Sequence, residues 1–343
     1  MKTRSFKLIL MMVAVIFSSM TVPAGKAFAS PEAAPASSGS SGEMIHIMFA
    51  PGTTSAEVSG SLAANAKVQY ILRAGYAQLM DVSLSAPEGA TLTVTSLAGT
   101  ALNGLPGTGS TTAFRGYLPR TGNYVLTVSA GSKAVSYSLN VSIPQRISFK
   151  WGTTSATLTG SLKAHTSHDY ILGAGQGQLM EITITPTGSS PGPQIIVYGV
   201  DGSVLQSGMG EATSFRGLLP LSQDYFVTVR AGDQDMAFTM NVIIPKRITF
   251  AAGSNSTTFS GWLPAQQSQY YSLNGQKDQT LTVDILPANR TQLIIYGMDG
   301  TVLRSGMGEG SSFSGKLPST QDYILVVRTG VSAAWYKLVV AVK

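Results

Sequence analysis

The sequence predicts an all-β protein: three tandem β-sandwich domains of jelly-roll or Greek-key type, following a cleaved signal peptide. Three observations lead there. The 343 residues repeat themselves with a period close to 100. Within each repeat, short runs alternate polar and apolar residues, as in Glu181-Ile-Thr-Ile-Thr185, the pattern of a strand with one wet face. No 12-residue window carries an apolar stripe of helical period.

In chain order, the first element is a targeting segment. Lys2, Arg4 and Lys7 precede an apolar run from Leu8 to Phe17, and Ala27-Phe28-Ala29 closes it as an A-x-A cleavage site. The run is about half of the roughly 20 residues a spanning helix needs, so residues 1–29 read as a signal peptide rather than an anchor. The mature chain is therefore expected to be exported, to the periplasm or the cell exterior, with no membrane span. Residues 30–44 are rich in Ser, Ala, Pro and Gly and read as a flexible leader.

The repeats occupy 45–144, 145–245 and 246–343. Phe49-x-x-Gly52 returns at Phe149 and Gly152 and at Phe250 and Gly253. Tyr70, Tyr170 and Tyr271 each lead, eight residues on, to Gln78, Gln178 and Gln279. Leu118-Pro119, Leu219-Pro220 and Leu317-Pro318 are followed five residues after the proline by Tyr124, Tyr225 and Tyr323. Repeats of this size are domains, each able to bury its own core. Phe49, Tyr70, Leu72, Leu118, Tyr124, Tyr137 and their equivalents are the expected core. Strand signals continue through Tyr225-Phe-Val-Thr-Val-Arg230, and Asp201-Gly202 and Asp299-Gly300 mark hairpin turns. The joints at Ile143-Pro144-Gln145-Arg146 and Ile244-Pro245-Lys246-Arg247 are short enough to constrain neighbouring domains. The first repeat departs from the others in its middle, where Asn103 to Gly109 replaces Ser207-Gly-Met-Gly-Glu211 and Ser305-Gly-Met-Gly-Glu309.

Composition narrows the function. The formal charge of +6 falls to +2 once the four bases of the signal segment are set aside, and the three repeats carry +2, −2 and +4. That density is too low for phosphate-backbone binding, so no nucleic-acid partner is expected. With no Cys, disulfides, thiolate metal sites and cysteine nucleophiles are excluded, and each domain must stand on its own core.

Asp169-Tyr-Ile-Leu-x-Ala-Gly-x-Gly-Gln178, Ile196-x-Tyr198-Gly-x-Asp201-Gly202, Leu219-Pro220-x-x-x-Asp224-Tyr225-x-x-x-Val229 and Phe238-x-x-Asn-Val together resemble the bacterial pre-peptidase C-terminal domain. Within that fold the repeats are similar to the periplasmic inhibitors of g-type lysozyme. In the first repeat the matching residues are Phe49, Gly52, Ser55, Ala56, Ser59, Gly60, Tyr70, Ala74, Gln78, Leu118, Pro119, Gly122, Tyr124, Leu126 and Val128. The resemblance spans each repeat. It implies a β-sandwich and a non-enzymatic binding protein whose partner is a lysozyme or other cell-wall hydrolase. It does not place the inhibitory contacts, and that family is single-domain. The alternative is an adhesive module for a surface polysaccharide, or an accessory domain array.

Few residues offer chemistry. The three histidines, His46, His165 and His168, accompany no G-x-S-x-G elbow, so no catalytic unit is expected. His165-x-x-His168-Asp169 and Asp233-x-Asp235 are the two groupings with metal-ligating side chains. The first is confined to the second repeat and the second lacks further oxygen ligands, so neither metal nor cofactor is assigned. The candidate partner-binding residues are the paired loops Ser207, Gly208, Met209, Gly210 and Glu211, and Ser305, Gly306, Met307, Gly308 and Glu309. Glycines on both sides let the backbone lift an adaptable Met outward, and the carboxylate suits a basic partner.

Overall fold

The first repeat forms eight strands: β1 (Ile45–His46), β2 (Ser55–Leu62), β3 (Lys67–Ala74), β4 (Leu79–Ser85), β5 (Thr91–Ser96), β6 (Ala113–Tyr117), β7 (Gly122–Ser129) and β8 (Val135–Ser142). The second forms nine: β9 (Gln145–Arg146), β10 (Ser155–Leu162), β11 (Ser167–Ala174), β12 (Leu179–Thr187), β13 (Gln194–Gly199), β14 (Val204–Gln206), β15 (Ser214–Leu218), β16 (Gln223–Arg230) and β17 (Met236–Ile243), after which the short β18 (Lys246–Arg247) opens the third. The third continues with β19 (Ser256–Leu263), β20 (Ser268–Gly275), β21 (Thr280–Leu286), β22 (Thr291–Gly297), β23 (Val302–Arg304), β24 (Ser312–Lys316), β25 (Gln321–Thr329) and β26 (Ala334–Val342). The computed structural model describes residues 44–343 apart from 51, 88, 106–109, 188–191, 208–211, 289 and 307–309. The signal segment and nearly all of the leader therefore lie outside the described residues. No helix among the described residues is long and apolar enough to cross a membrane.

These strands make six sheets, two per repeat. In the second sandwich the sheets run β10-β17-β12-β15 and β14-β13-β16-β11-β9. Counted from β10, the orders are one-eight-three-six and five-four-seven-two, which is the jelly roll. The third sandwich repeats this as β19-β26-β21-β24 and β18-β20-β25-β22-β23. The first has β2-β8-β4-β6 and β1-β3-β7-β5. Its fifth jelly-roll strand is reduced to a single bridge between Thr95 and Ala101, in the segment where the first repeat departs in sequence. The interdomain joints themselves become structure. Gln145 and Arg146 pair in parallel with Tyr170 and Ile171, and Lys246 and Arg247 do the same with Tyr271 and Ser272.

Each sandwich closes on its own core. In β12, Met180, Ile182 and Ile184 point inward and Thr183 and Thr185 outward, as the alternation requires. Tyr70, Leu72, Leu118, Tyr124 and Tyr137 are buried in the first core, and Phe49 is half-buried at its rim.

The repeated sequence signature has a structural reason at each position. The tyrosine after Leu-Pro turns its hydroxyl back on the chain: Tyr225 donates to the Leu221 carbonyl at 2.6 Å and Tyr323 to Ser319 at 2.6 Å, with Tyr124 on Arg120 at the same place. This is a tyrosine corner, which satisfies a buried carbonyl from within the core. The repeated glutamine closes a turn. Gln178 accepts from the Gly175 amide at 2.6 Å, and Gln279 from the Gln276 amide at 2.7 Å. Gly60, Gly160 and Gly261 lie under an aromatic ring. A Cβ on Gly160 would stand 2.7 Å from the Phe238 ring, so a larger residue displaces the ring.

Candidate functional site

Of the polar residues singled out by sequence, His168 and Asp169 lie at a joint between sandwiches. The outer face of β4 and β6 packs on the outer face of β11, β16 and β13. Leu79 buries against Ile171 and Phe226, with Leu105, Tyr198 and Val200 around them. The next joint is built alike, with Leu179 against Ile324 and Val326 beside Tyr270, Tyr296 and Met298.

One device recurs in both. In the first joint, Arg115 pairs with Asp81 across β4 and β6 at 2.7 Å, donates to the Val200 carbonyl at 3.0 Å, and places its guanidinium 5.0 Å from the centre of the Phe226 ring. In the second, Arg216 pairs with Glu181 at 2.9 Å, donates to Met298 at 3.1 Å and lies 5.6 Å from the Tyr296 ring centre. An acid on one strand thus aims an arginine at the hairpin and aromatic face of the next sandwich. Glu181 is buried, and burial raises its carboxyl pKa, against the opposing pull of Arg216 and the Tyr296 hydroxyl. The signal for this pair was in the sequence, an acid two residues after Leu79 and Leu179, but its partner lies 34 or 35 residues on and only the sheet brings them together.

A second arginine joins the edge of each joint. Arg146 forks onto Asp224, with Nη1 on Oδ1 at 3.1 Å, and the Tyr117 hydroxyl of the first sandwich also donates to that carboxylate. Burial alone would raise the Asp224 pKa; the Arg146 and Tyr117 hydrogen bonds outweigh it and hold the carboxyl below its ordinary value. In the third sandwich Arg247 pairs with Asp322, which also accepts from the Asn274 side-chain amide at 2.9 Å.

The candidate metal residues are likewise spent on structure. Asp169, the carboxylate of the His165-x-x-His168-Asp169 candidate, binds across the joint. Its carboxylate accepts from Ser142 at 2.6 Å and Thr228 at 2.7 Å, and its amide donates to Thr54 at 2.7 Å. His168 donates from Nδ1 to the Gly52 carbonyl at 2.9 Å and stacks on Tyr170 with ring centres 4.5 Å apart. Its Nε2 faces the Gln145 side-chain amide at 3.1 Å. His165 is not with them. It occupies a left-handed turn position, φ 60°, as Asn65 and Gln266 do in the other repeats, with Asp233 3.6 Å away. Asp235 accepts from Lys163 and from the Ala164 amide, so it does not join Asp233 as a pair of free ligands. His46 sits in β1. Among the described residues no three His, Cys, Asp or Glu side chains gather at metal-binding spacing.

The paired loops join two sheets. In chain order the first lies between β14, at the edge of one sheet of the second sandwich, and β15, at the edge of the other; the second lies between β23 and β24, which hold the same edges in the third sandwich. Ser207 and Ser305 are exposed, and Gly306 is buried at φ 79°, where a Cβ would stand 2.7 Å from Ile294. Gly208, Met209, Gly210 and Glu211, with Met307, Gly308 and Glu309, lie outside the described residues.

The chain is similar to the periplasmic inhibitors of g-type lysozyme. The inhibitor from Aeromonas hydrophila matches with 17% identity over 29% of this chain and 96% of its own, at a TM-score of 0.26. That from Salmonella Typhimurium matches with 18% identity over 28% of this chain and 96% of its own, at 0.23. A turret protein with a triple jelly-roll fold, from an archaeal virus, matches with 10% identity over 84% of this chain and 89% of its own, at 0.20. These likenesses concern the fold. No protein-family model matches the chain, and no curated protein does.

Proposed function

We propose that this is an exported, non-enzymatic binding protein whose jelly rolls hold contact loops for a cell-wall hydrolase of the lysozyme class. The observation that carries this reading is where the chemistry-bearing side chains are used. Asp81, Asp169, Glu181, Asp224, Asp322 and His168 all bind within or across the joints. The residues common to all three repeats close turns and cores. The repeats differ in sequence in the segment between the fifth and sixth jelly-roll strands. There the second and third repeats carry Ser-Gly-Met-Gly-Glu and the first does not. Glu211 and Glu309 supply the carboxylates for a basic partner, and Met209 and Met307 the adaptable apolar contact. Two such loops on one chain favour rebinding after one contact breaks. The sequence resemblance to g-type lysozyme inhibitors names the partner class, and the signal segment supplies the compartment.

The test is inhibition of c-, g- and i-type lysozymes by residues 30–343, beside the Glu211→Ala/Glu309→Ala variant. Inhibition at micromolar protein that weakens in the variant supports the reading. Equal potency of the two proteins removes the loops from it.

A further inference from the structure

The chain has three tryptophans: two are paired across the last sheet, and the third lies in a turn against the edge strand of that sheet. Trp262 in β19 and Trp335 in β26 are direct cross-strand partners. Their neighbours Leu263, Ala334 and Tyr336 are buried, so both indoles project from the outer face of the last sheet, 42% and 72% exposed. Trp151 lies in the turn before β10 and is 93% exposed. That turn abuts the outer strand of the third sandwich: a Cβ on Gly152 would lie 4.0 Å from the Trp262 carbonyl oxygen. Among the described residues none of the three indoles hydrogen-bonds or stacks on another ring.

The fold does not ask for these residues. At the register of Trp262 and Trp335 the first repeat has Ser61 and Ser136, whose hydroxyls meet at 3.0 Å, and the second has Ser161 and Ala237. The corresponding cleft between the first and second sandwiches, about 390 Å³, is lined by small and polar residues such as Gly52, Thr53, Ser161 and Ala237. The equivalent positions of the second and third sandwiches carry Gly152, Thr153, Trp262 and Trp335, with Trp151 beside Gly152. Exposed tryptophans gathered this way carry a cost in solubility that scattered ones do not, and they mark a contact site.

The surroundings say what kind of contact. A further sandwich is the wrong occupant. Docking in this chain uses a leucine, an acid and an arginine, and the third repeat replaces them with Thr280, Thr282 and Ser314. The rung next to the tryptophan pair is Ser260 opposite Lys337, and Thr258 follows. A narrow aromatic plate bordered by hydroxyls and an ammonium fits a sugar ring, which has an apolar C–H face and a rim of hydroxyls. It fits poorly a protein patch that must bury a continuous apolar area. We propose that Trp151, Trp262 and Trp335 form a glycan-binding groove between the second and third sandwiches, with the sugar rings stacking on the indoles. This site is separate from the loops assigned to a hydrolase.

The tryptophans also supply the test, because emission excited selectively from tryptophan, and not from the 13 tyrosines, reports only on these three residues. Residues 30–343 are co-sedimented with insoluble peptidoglycan, chitin, cellulose and starch, with no lysozyme present. Emission is then followed with soluble oligosaccharides of the retained polymer. Retention on one or more polymers, a shift in emission on binding, and a loss of about tenfold or more in Trp262→Ser/Trp335→Ser are expected. That variant restores the serine pair native to the first repeat, so it should fold, which its melting curve checks. Trp151→Ala should weaken retention further without touching either sheet. No retention on any polymer, unchanged retention in the double variant, or binding without a change in emission overturns the proposal. So does a double variant that loses only a protein partner. Failure to inhibit lysozyme leaves this assay unaffected, so the two readings fail separately.

Discussion

Tyr225 shows most plainly how single residues hold this molecule. It is fully buried in the second core, yet its hydroxyl reaches the Leu221 carbonyl. Tyr225→Phe keeps the ring and strands that carbonyl, so unfolding stability should fall by about 1–2 kcal/mol in urea melts. No change would mean that solvent reaches the turn. Tyrosine also sets an alkaline limit. Burial first, then the hydrogen bond to Asp224, pushes the Tyr117 phenol up to about 12, and burial pushes Tyr170 to about 12. Unfolded tyrosine ionises near pH 10. The fold therefore favours the neutral phenols, and that stabilisation is complete below about pH 10 and is lost as pH rises through 12. The melting temperature should drop across that window, less so in Tyr117→Phe; a flat profile contradicts the assignment. The corner was legible in the sequence as Leu-Pro followed at fixed spacing by Tyr, because the device is local. The role of Asp169 was not, since its partners Thr54, Ser142 and Thr228 come from three strands or turns of two sandwiches.

At the scale of elements, the sheets were readable and their outer faces were not. Period-two alternation assigns β12 from sequence, because an inward face must be apolar whatever lies beyond it, and β-branched and aromatic richness assigns β16. Outer faces carry Leu79, Phe226, Leu179 and Ile324, which break the alternation. Only the neighbouring sandwich explains them. Arg216 is the test of that explanation. Arg216→Ala leaves Glu181 buried at 6% exposure without its counter-charge and removes the bond to Met298. A stability loss of about 1–3 kcal/mol is expected. Small-angle scattering should also show a wider range of arrangements for the second and third sandwiches. Unaltered scattering and stability would place Arg216 outside the joint's energetics.

Across the whole molecule, the residues shared by the repeats build the fold, and the residues that differ set where each repeat can act. The third repeat lacks the leucine, acid and arginine that dock a following sandwich. The first has His46, Asn123 and Thr95 where the others have an arginine, an aspartate and a tyrosine. The first and third repeats therefore each carry a face unlike those buried in the joints. A period of 100 residues made the three jelly rolls readable from sequence. The clustering of Trp151 with Trp262 and Trp335 was not, because it depends on how two sandwiches meet. Partner recognition remains the central claim, and inhibition of g-type lysozyme by purified residues 30–343 tests it most directly. Saturable inhibition at micromolar protein, weakened when Glu211 and Glu309 are both alanine, is the predicted result. Full lysozyme activity at every concentration of the protein would contradict it.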